Sequence, residues 1–341
     1  MRTAFDHPFD VPDGYLNTAS IGIPPAFAAD AVEAAIRGWR TGAGRPPAFD
    51  APVTTARAAF ARLVGVATDR VAIGSTVSGL VGIVAAGIPD GSRVLVARGD
   101  FTSVTWPFAA QHGRGVTVEE VELDELPGRA AAGGVDVVAV SVVQSADGRI
   151  VDLPALRAVR AGGTRVVLDA TQSAGWFDAD LSWADAVVAA GYKWLMSPRG
   201  VAWMAVREDF PLVSGQAGWY AAADPWAGVY GLPLRPAPDA RALDTSPAWY
   251  SHVGAAAVLP WVAGLDRAAV QAHCGGLADA VRAGLGMEPT GSAIVAVRAP
   301  DALARLTAAG VVSSARAGAA RLSFYVYNTR ADVDAVLEAL G

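Results

Sequence analysis

Short apolar runs rich in β-branched residues alternate along most of the chain with Ala-rich stretches whose apolar positions recur at helical spacing. The runs fall at 70–73, 93–97, 115–118, 135–140, 165–168, 186–189 and 201–206. They are continuous rather than alternating, as strands buried on both faces should be. Helices are predicted over 50–64, after Thr76, and over 153–161, where Pro154 sits just inside the start as proline prefers. The pattern is that of an α/β fold on a largely parallel seven-stranded sheet. From Gly215 to Pro247 the text turns irregular, rich in Gly, Pro, Trp and Ala, and reads as a long excursion between two domains. Beyond it a helix is predicted over 250–269, then strands at 293–297 and 321–327 and helices at 301–309 and 332–340. The expected division is a large domain over 15–235 and a smaller α+β domain formed by 1–14 and 236–341.

Composition narrows the function. The length of 341 residues suits two domains. Hydrophobic residues make up 52%, yet Gly, Pro, Asp or Arg breaks every apolar run before it reaches the roughly 18–20 residues of a membrane span. The start of the chain lacks the basic-then-apolar pattern of a secretory signal, so a soluble, cytoplasmic protein is expected. Cys274 is the single cysteine, which excludes an internal disulfide and a thiolate metal cluster. The four histidines have no metal-ligand spacing, and no metal is expected. With 27 basic against 33 acidic residues and no basic cluster, nucleic acid is not the expected partner. A small molecule is.

Ionisable residues recur at the C-terminal ends of the predicted strands, where open α/β sheets bind ligands. Leu168-Asp169-Ala170-Thr171-Gln172 closes one strand with a carboxylate, and Gly191-Tyr192-Lys193 closes a later one with an amine. Alone, a strand-end lysine reads as a snorkelling surface residue and a strand-end aspartate as a helix cap. Together on one sheet edge they are the pair that pyridoxal-phosphate (PLP) chemistry requires: an amine to carry the cofactor as a Schiff base and then move the Cα proton, and an acid to keep the pyridine nitrogen protonated.

At this point the chain resembles the class V aminotransferase and cysteine desulfurase family of fold type I PLP enzymes, from Tyr15 to the end. The stretch Tyr15 to Pro25 is similar to the family's opening segment over the active site, which places Ser20 toward the substrate. Gly74-Ser75-Thr76-Val77-Ser78-Gly79 resembles the phosphate cup at a helix start, where free N–H groups and the helix dipole favour a dianion. The resemblance implies that Phe101 stacks on the pyridine, with Trp106 or Phe108 as alternatives. It puts Gln144 near the cofactor's 3-hydroxyl, in competition with Ser145. Asp169 and Gln172 match the family's Asp-x-x-Gln, Tyr192 stands where a phosphate ligand precedes the lysine, and Ser246 where a hydroxyl reaches the partner's phosphate in a homodimer with shared active sites. Arg321 is implied to fork the substrate α-carboxylate, with Arg316 as a second candidate.

The chain departs from the desulfurases in one respect. Their catalytic cysteine lies on a loop between two C-terminal arginine segments, and here that interval is only Arg316-Ala317-Gly318-Ala319-Ala320-Arg321. Cys274 reads as a packed thiol. Tyr192-Lys193 and Phe101 are similar to the kynureninase and epimerase branches as much as to transaminases. The resulting expectation is a PLP enzyme acting on an amino acid or amine, foremost an aminotransferase, with β-elimination, C–S cleavage or epimerisation as alternatives. Trp219, Tyr220 and Arg199 are candidates to line the substrate pocket.

Overall fold

The structure is a computed structural model that describes every residue except Pro211. A hairpin of β1 (Arg2–Ala4) and β2 (His7–Phe9) precedes the large sheet, whose strands are β3 (Val71–Gly74), β4 (Arg93–Ala97), β5 (Thr117–Val121), β6 (Val137–Ser141), β7 (Arg165–Asp169), β8 (Ala186–Ala190) and β9 (Ala202–Val206). Their order is β3-β9-β8-β7-β6-β4-β5. All neighbours are parallel except β9, which runs antiparallel to both β3 and β8. The seven strands fall on the seven apolar runs. The third is displaced to Thr117–Val121 because it is the sheet edge, and edge strands carry charge, here Glu119 and Glu120, against further pairing.

Each inner strand is buried on both faces. Leu95, Val138, Leu168 and Val187 point into a core shared with α2 (Asp50–Val64), α6 (Leu153–Ala161) and α7 (Trp249–Val262). Their neighbours Val94, Val96, Ala139, Val167 and Val188 point into a second core shared with α3 (Val77–Gly87) and α4 (Thr102–Ala109). At about 1.5–3 kcal/mol for each large side chain withdrawn from water, this two-sided burial explains why the inner strands admit no polar residue between their first position, where Arg93 and Arg165 stand, and their last. α7 lies against α1 (Ala26–Arg40) and α2, on the large-sheet side, although the expected division at 236 groups it with the smaller unit.

Two expectations are corrected. The helix foreseen over 250–269 is broken: α7 stops at Val262, and α8 (Arg267–Gly284) starts anew behind Asp266, whose side chain accepts from the N–H of Ala269. The strand foreseen over 321–327 stops at Ser323, because the N–H of Tyr325 turns to the side chain of Asn328. The small antiparallel sheet is β10 (Ile294–Val297), β12 (Ala319–Ser323) and β11 (Ser314–Arg316), in that order. It packs with α8, α9 (Ala302–Ala308) and α10 (Arg330–Leu340). β11 and β12 join through Ala317 and Gly318, at φ of +46° and +74°, the left-handed pair of a tight hairpin with no room for a catalytic loop. Among the described residues no single helix is long and apolar enough to cross a membrane.

Candidate active site

The sheet's connectivity reverses between β4 and β6, and the crevice over the C-terminal strand ends at such a switch point is where α/β sheets take ligands. A cavity of about 310 Å³ opens there. Asp169 ends β7 at its floor, and Ser141, its register partner, ends β6. Lys193 follows β8 by three residues and is 5% exposed. One wall is the start of α3: Ser75, Thr76, Val77 and Ser78. Thr76 caps that helix, its hydroxyl accepting from the N–H of Gly79 at 3.1 Å. The other N–H groups of the first turn have no partner within the helix.

Two buried charges share this cavity. Burial holds the Asp169 carboxyl up, at about 6, against the pull of hydrogen bonding from Thr171 and the charge of Lys193. Its Oδ1 accepts the Thr171 N–H at 2.8 Å. Burial draws the Lys193 ammonium down, to about 8; Asp169 opposes this, while Arg321, Arg316 and Arg199 add to it. Lys193 Nζ stands 5.3 Å from the centre of the Phe101 ring and 5.8 Å from that of Tyr192. Arg199 lies over the same Tyr192 ring at 4.9 Å.

The lysine loop is held from above by the N-terminal segment. The N–H of Gly22 donates to the Tyr192 carbonyl at 2.9 Å, and a Cβ at position 22 would sit 1.9 Å from the Lys193 carbonyl oxygen. Gly22→Ala is therefore expected to displace that loop at a cost of about 1–3 kcal/mol in urea unfolding. Gly38→Ala, in the interior of α1 with nothing near its Cβ position, is expected to gain about 0.5–1 kcal/mol. Equal effects at the two positions would show that the contact at Gly22 is not a constraint.

Arg321 is 1% exposed, and among the described residues no carboxylate pairs with it. Its terminal nitrogens donate to the Ser145 carbonyl at 2.6 Å, the Ser145 hydroxyl at 3.1 Å and the Ser20 hydroxyl at 2.7 Å, and its Nε has no partner. Burial lowers the guanidinium to about 10, with Arg316 contributing. This is a stored cation, not a surface salt bridge.

Of the residues singled out from sequence, Ser75, Thr76, Phe101, Ser145, Asp169, Gln172, Tyr192, Lys193 and Arg199 line the cavity. Gln144 does not. Its amide turns to Asp100 Oδ2 at 3.2 Å, and Ser145 takes the place on the wall. Gln172 has its amide committed: Nε2 donates to Ala19 O at 3.0 Å and Ser145 Oγ at 2.9 Å, and Oε1 accepts from Trp194 Nε1 at 2.7 Å. Ser246 is exposed and away from the cavity. Just before it, Asp244 is pinned by a buried ion pair with Arg57 at 2.6 Å. Tyr220 donates instead to Asp50 at 3.2 Å, and Trp219 packs on Tyr220 and Trp226. Trp106 is exposed on α4 and Phe108 buried beneath it, so Phe101 is the aromatic that faces Lys193. Sequence reasoning passed over Asp100, Ser141 and Thr171. The signal available for all three was their position at strand ends beside residues already chosen.

The profile of the family described as "Aminotransferase class-V" matches residues 47–305. Isopenicillin N epimerase of Amycolatopsis lactamdurans is 29% identical over 177 residues, 46% of this chain and 44% of that protein. The enzyme of the same name from Streptomyces clavuligerus is 29% identical over 167 residues, 44% of this chain and 42% of that protein. The match thus spans less than half the length of these curated relatives. Among solved structures, the cysteine desulfurase CsdA of Escherichia coli superposes with a TM-score of 0.81 at 18% identity, covering 97% of this chain and 95% of that one. The cystine C-S lyase C-DES, in complex with cysteine persulfide, superposes at 0.84 with 20% identity, covering 97% of each chain. The shared fold is fold type I.

Proposed function

The chain belongs to the class V aminotransferase family, and from that premise we propose that it is a PLP-dependent enzyme acting on a small amino acid, with Lys193 as the covalent anchor. The observation that carries this is the pair Lys193 and Asp169, both buried on one cavity whose wall is an open helix start. The residues present fit the cofactor. The N–H groups of α3 and the Thr76 and Tyr192 hydroxyls suit a phosphate. A carboxyl raised to about 6 by burial suits a pyridinium, which would return its charge to it. The Phe101 ring covers the face beside Lys193.

When bound, PLP supplies an electron sink for charge developing at the substrate Cα. The chain's own groups do the rest. Asp169 holds a proton at the ring nitrogen. The Lys193 amine, low in proton affinity through burial, takes and returns the Cα proton near neutral pH. Arg321 orients the α-carboxylate, and Gln172, with every amide atom committed, fixes Ser145 and the Ala19 loop in place. Amino-group transfer is the leading reaction. Proton movement at Cα without transfer is the second, favoured by the similarity to isopenicillin N epimerases. Desulfuration is not proposed: Cys274 is fully buried, and burial drives its thiol far up. We further infer a homodimer in which Ser246, exposed beside its pinned neighbour Asp244, reaches the partner's phosphate site.

Incubated with PLP and reduced with borohydride, the wild type is expected to gain a cofactor adduct at Lys193, located by peptide mass, and Lys193→Ala to gain none. A wild type that takes up no PLP rejects the reading. Treating holoenzyme with a panel of amino acids then separates the branches, since only transfer leaves the amine form of the cofactor and a 2-oxo acid.

A further inference from the structure

A second carboxylate stands behind the cavity wall at the switch point. Asp100 follows β4, is 7% exposed, and pairs with no cation among the described residues. Four donors converge on it. Oδ1 accepts the Phe101 N–H and the Ser141 hydroxyl, each at 2.6 Å; Oδ2 accepts the Ser141 N–H at 2.8 Å and the Gln144 amide at 3.2 Å. Each oxygen thus takes one backbone N–H, which cannot reverse its polarity. An amide in this place would set its own NH₂ against one of them, so the site is built for a carboxylate with both oxygens accepting. The two strands it joins, β4 and β6, bound the crevice. Ser141 is the register partner of Asp169, and Phe101 is the ring beside Lys193.

We propose that Asp100 is a positioning residue for the cofactor ring: a fixed negative charge that holds the Phe101 loop and the end of β6 in place and reinforces Asp169 as the holder of the ring proton. The inference rests on the PLP reading for its purpose, but its electrostatic half concerns the chain alone. The charged groups around Asp169 are Lys193, which lowers its proton affinity, and Asp100, which raises it. Lys193 is faced in turn by Arg321, Arg316 and Arg199. Withdrawing Asp100 leaves one carboxylate against these four cations.

The test has two arms, on Asp100→Asn and, should that variant not fold, Asp100→Ser, whose small hydroxyl leaves room for water to meet the four donors. In the apoprotein, the carboxyl ¹³C titration of Asp169, assigned by its absence in Asp169→Asn, is expected to move from about 6 down by about one pH unit. In the holoenzyme, the ¹⁵N resonance of ring-labelled PLP is expected to show loss of the ring proton at a pH lower by a similar amount, and PLP affinity to fall about tenfold. Ser141→Ala keeps the charge while removing one donor, and both titrations are expected to stay within about 0.3 unit of wild type. Unmoved titrations in the Asp100 variants overturn the proposal, and so does a Ser141→Ala shift as large as theirs, which assigns the effect to lost hydrogen bonding. A wild type that binds no PLP removes the functional reading and the proposed purpose together, while the apoprotein arm still decides the charge coupling.

Discussion

Replacing Arg321 by methionine is expected to lower kcat/KM for an amino-acid substrate by about a thousandfold while leaving the apoprotein at least as stable. A buried guanidinium forking a carboxylate makes two charge-assisted hydrogen bonds in a site closed to water, and truncating such a pair costs roughly 2–5 kcal/mol. The stability side runs the other way. Without substrate the cation is fully buried, meets only Ser145 and Ser20, and leaves its Nε unpaired. Exchanging buried charge for an apolar side chain of similar length is neutral or stabilising by about 1–4 kcal/mol. The hydrogen bonds given up are worth about 1 kcal/mol each, and the Ser20 hydroxyl can turn to solvent. Arg321→Lys keeps the charge but not the fork, and is expected to fall between the two. Steady-state kinetics with apoprotein melting decides the matter. A loss under about tenfold in kcat/KM, or a methionine variant much less stable than wild type, would mean that Arg321 holds the small sheet to the large one and does not serve the substrate.

Six of the seven strands were legible because each is buried on both faces, which leaves an apolar run that breaks shortly before Asp169 or Lys193 enters, whereas the edge strand β5, half exposed and carrying Glu119 and Glu120, was read three residues early at its end. The helix break at 263–266 was not legible, since α7 is apolar on every side and carries no face to mark its end; the cap at Asp266 decides it. Side-chain direction was equally hidden. Gln144 and Ser145 are adjacent, and only the demand of Asp100 for donors turns the amide inward and leaves the hydroxyl on the wall. Asp100 itself was passed over, because a carboxylate satisfied by hydrogen bonds across two strands has no local signature. The burial of Arg321 likewise depends on segments at 20 and 145 that only the fold brings to it.

The apoprotein should be least favoured by its own active site between about pH 6 and pH 8. Asp169 titrates at about 6 in the fold against 3.8 for an ordinary aspartate, so the folded state binds its proton more tightly. Stability from this group is full below about 3.8 and falls as pH rises to 6. Lys193 titrates at about 8 against 10.5, so the folded state releases its proton more readily, and that penalty is full below 8 and relieved as pH climbs to 10.5. Each shift exceeds two units, roughly 3 kcal/mol. Both penalties act together only in the window between. The double variant Asp169→Asn, Lys193→Met removes both charges with little change of shape. Its apoprotein is expected to exceed wild type by several kcal/mol at pH 7 in urea unfolding, with the gap falling to about half near pH 4, where only the lysine penalty remains, and near pH 10.5, where only the aspartate penalty does. Saturating PLP should stabilise the wild type far more than the double variant, because the cofactor would pair with the Asp169 carboxylate and take up the Lys193 amine covalently. A gap that is flat with pH, or of opposite sign, would show that the two groups are solvated in the apoprotein and that the cavity stores no such strain for the cofactor to release.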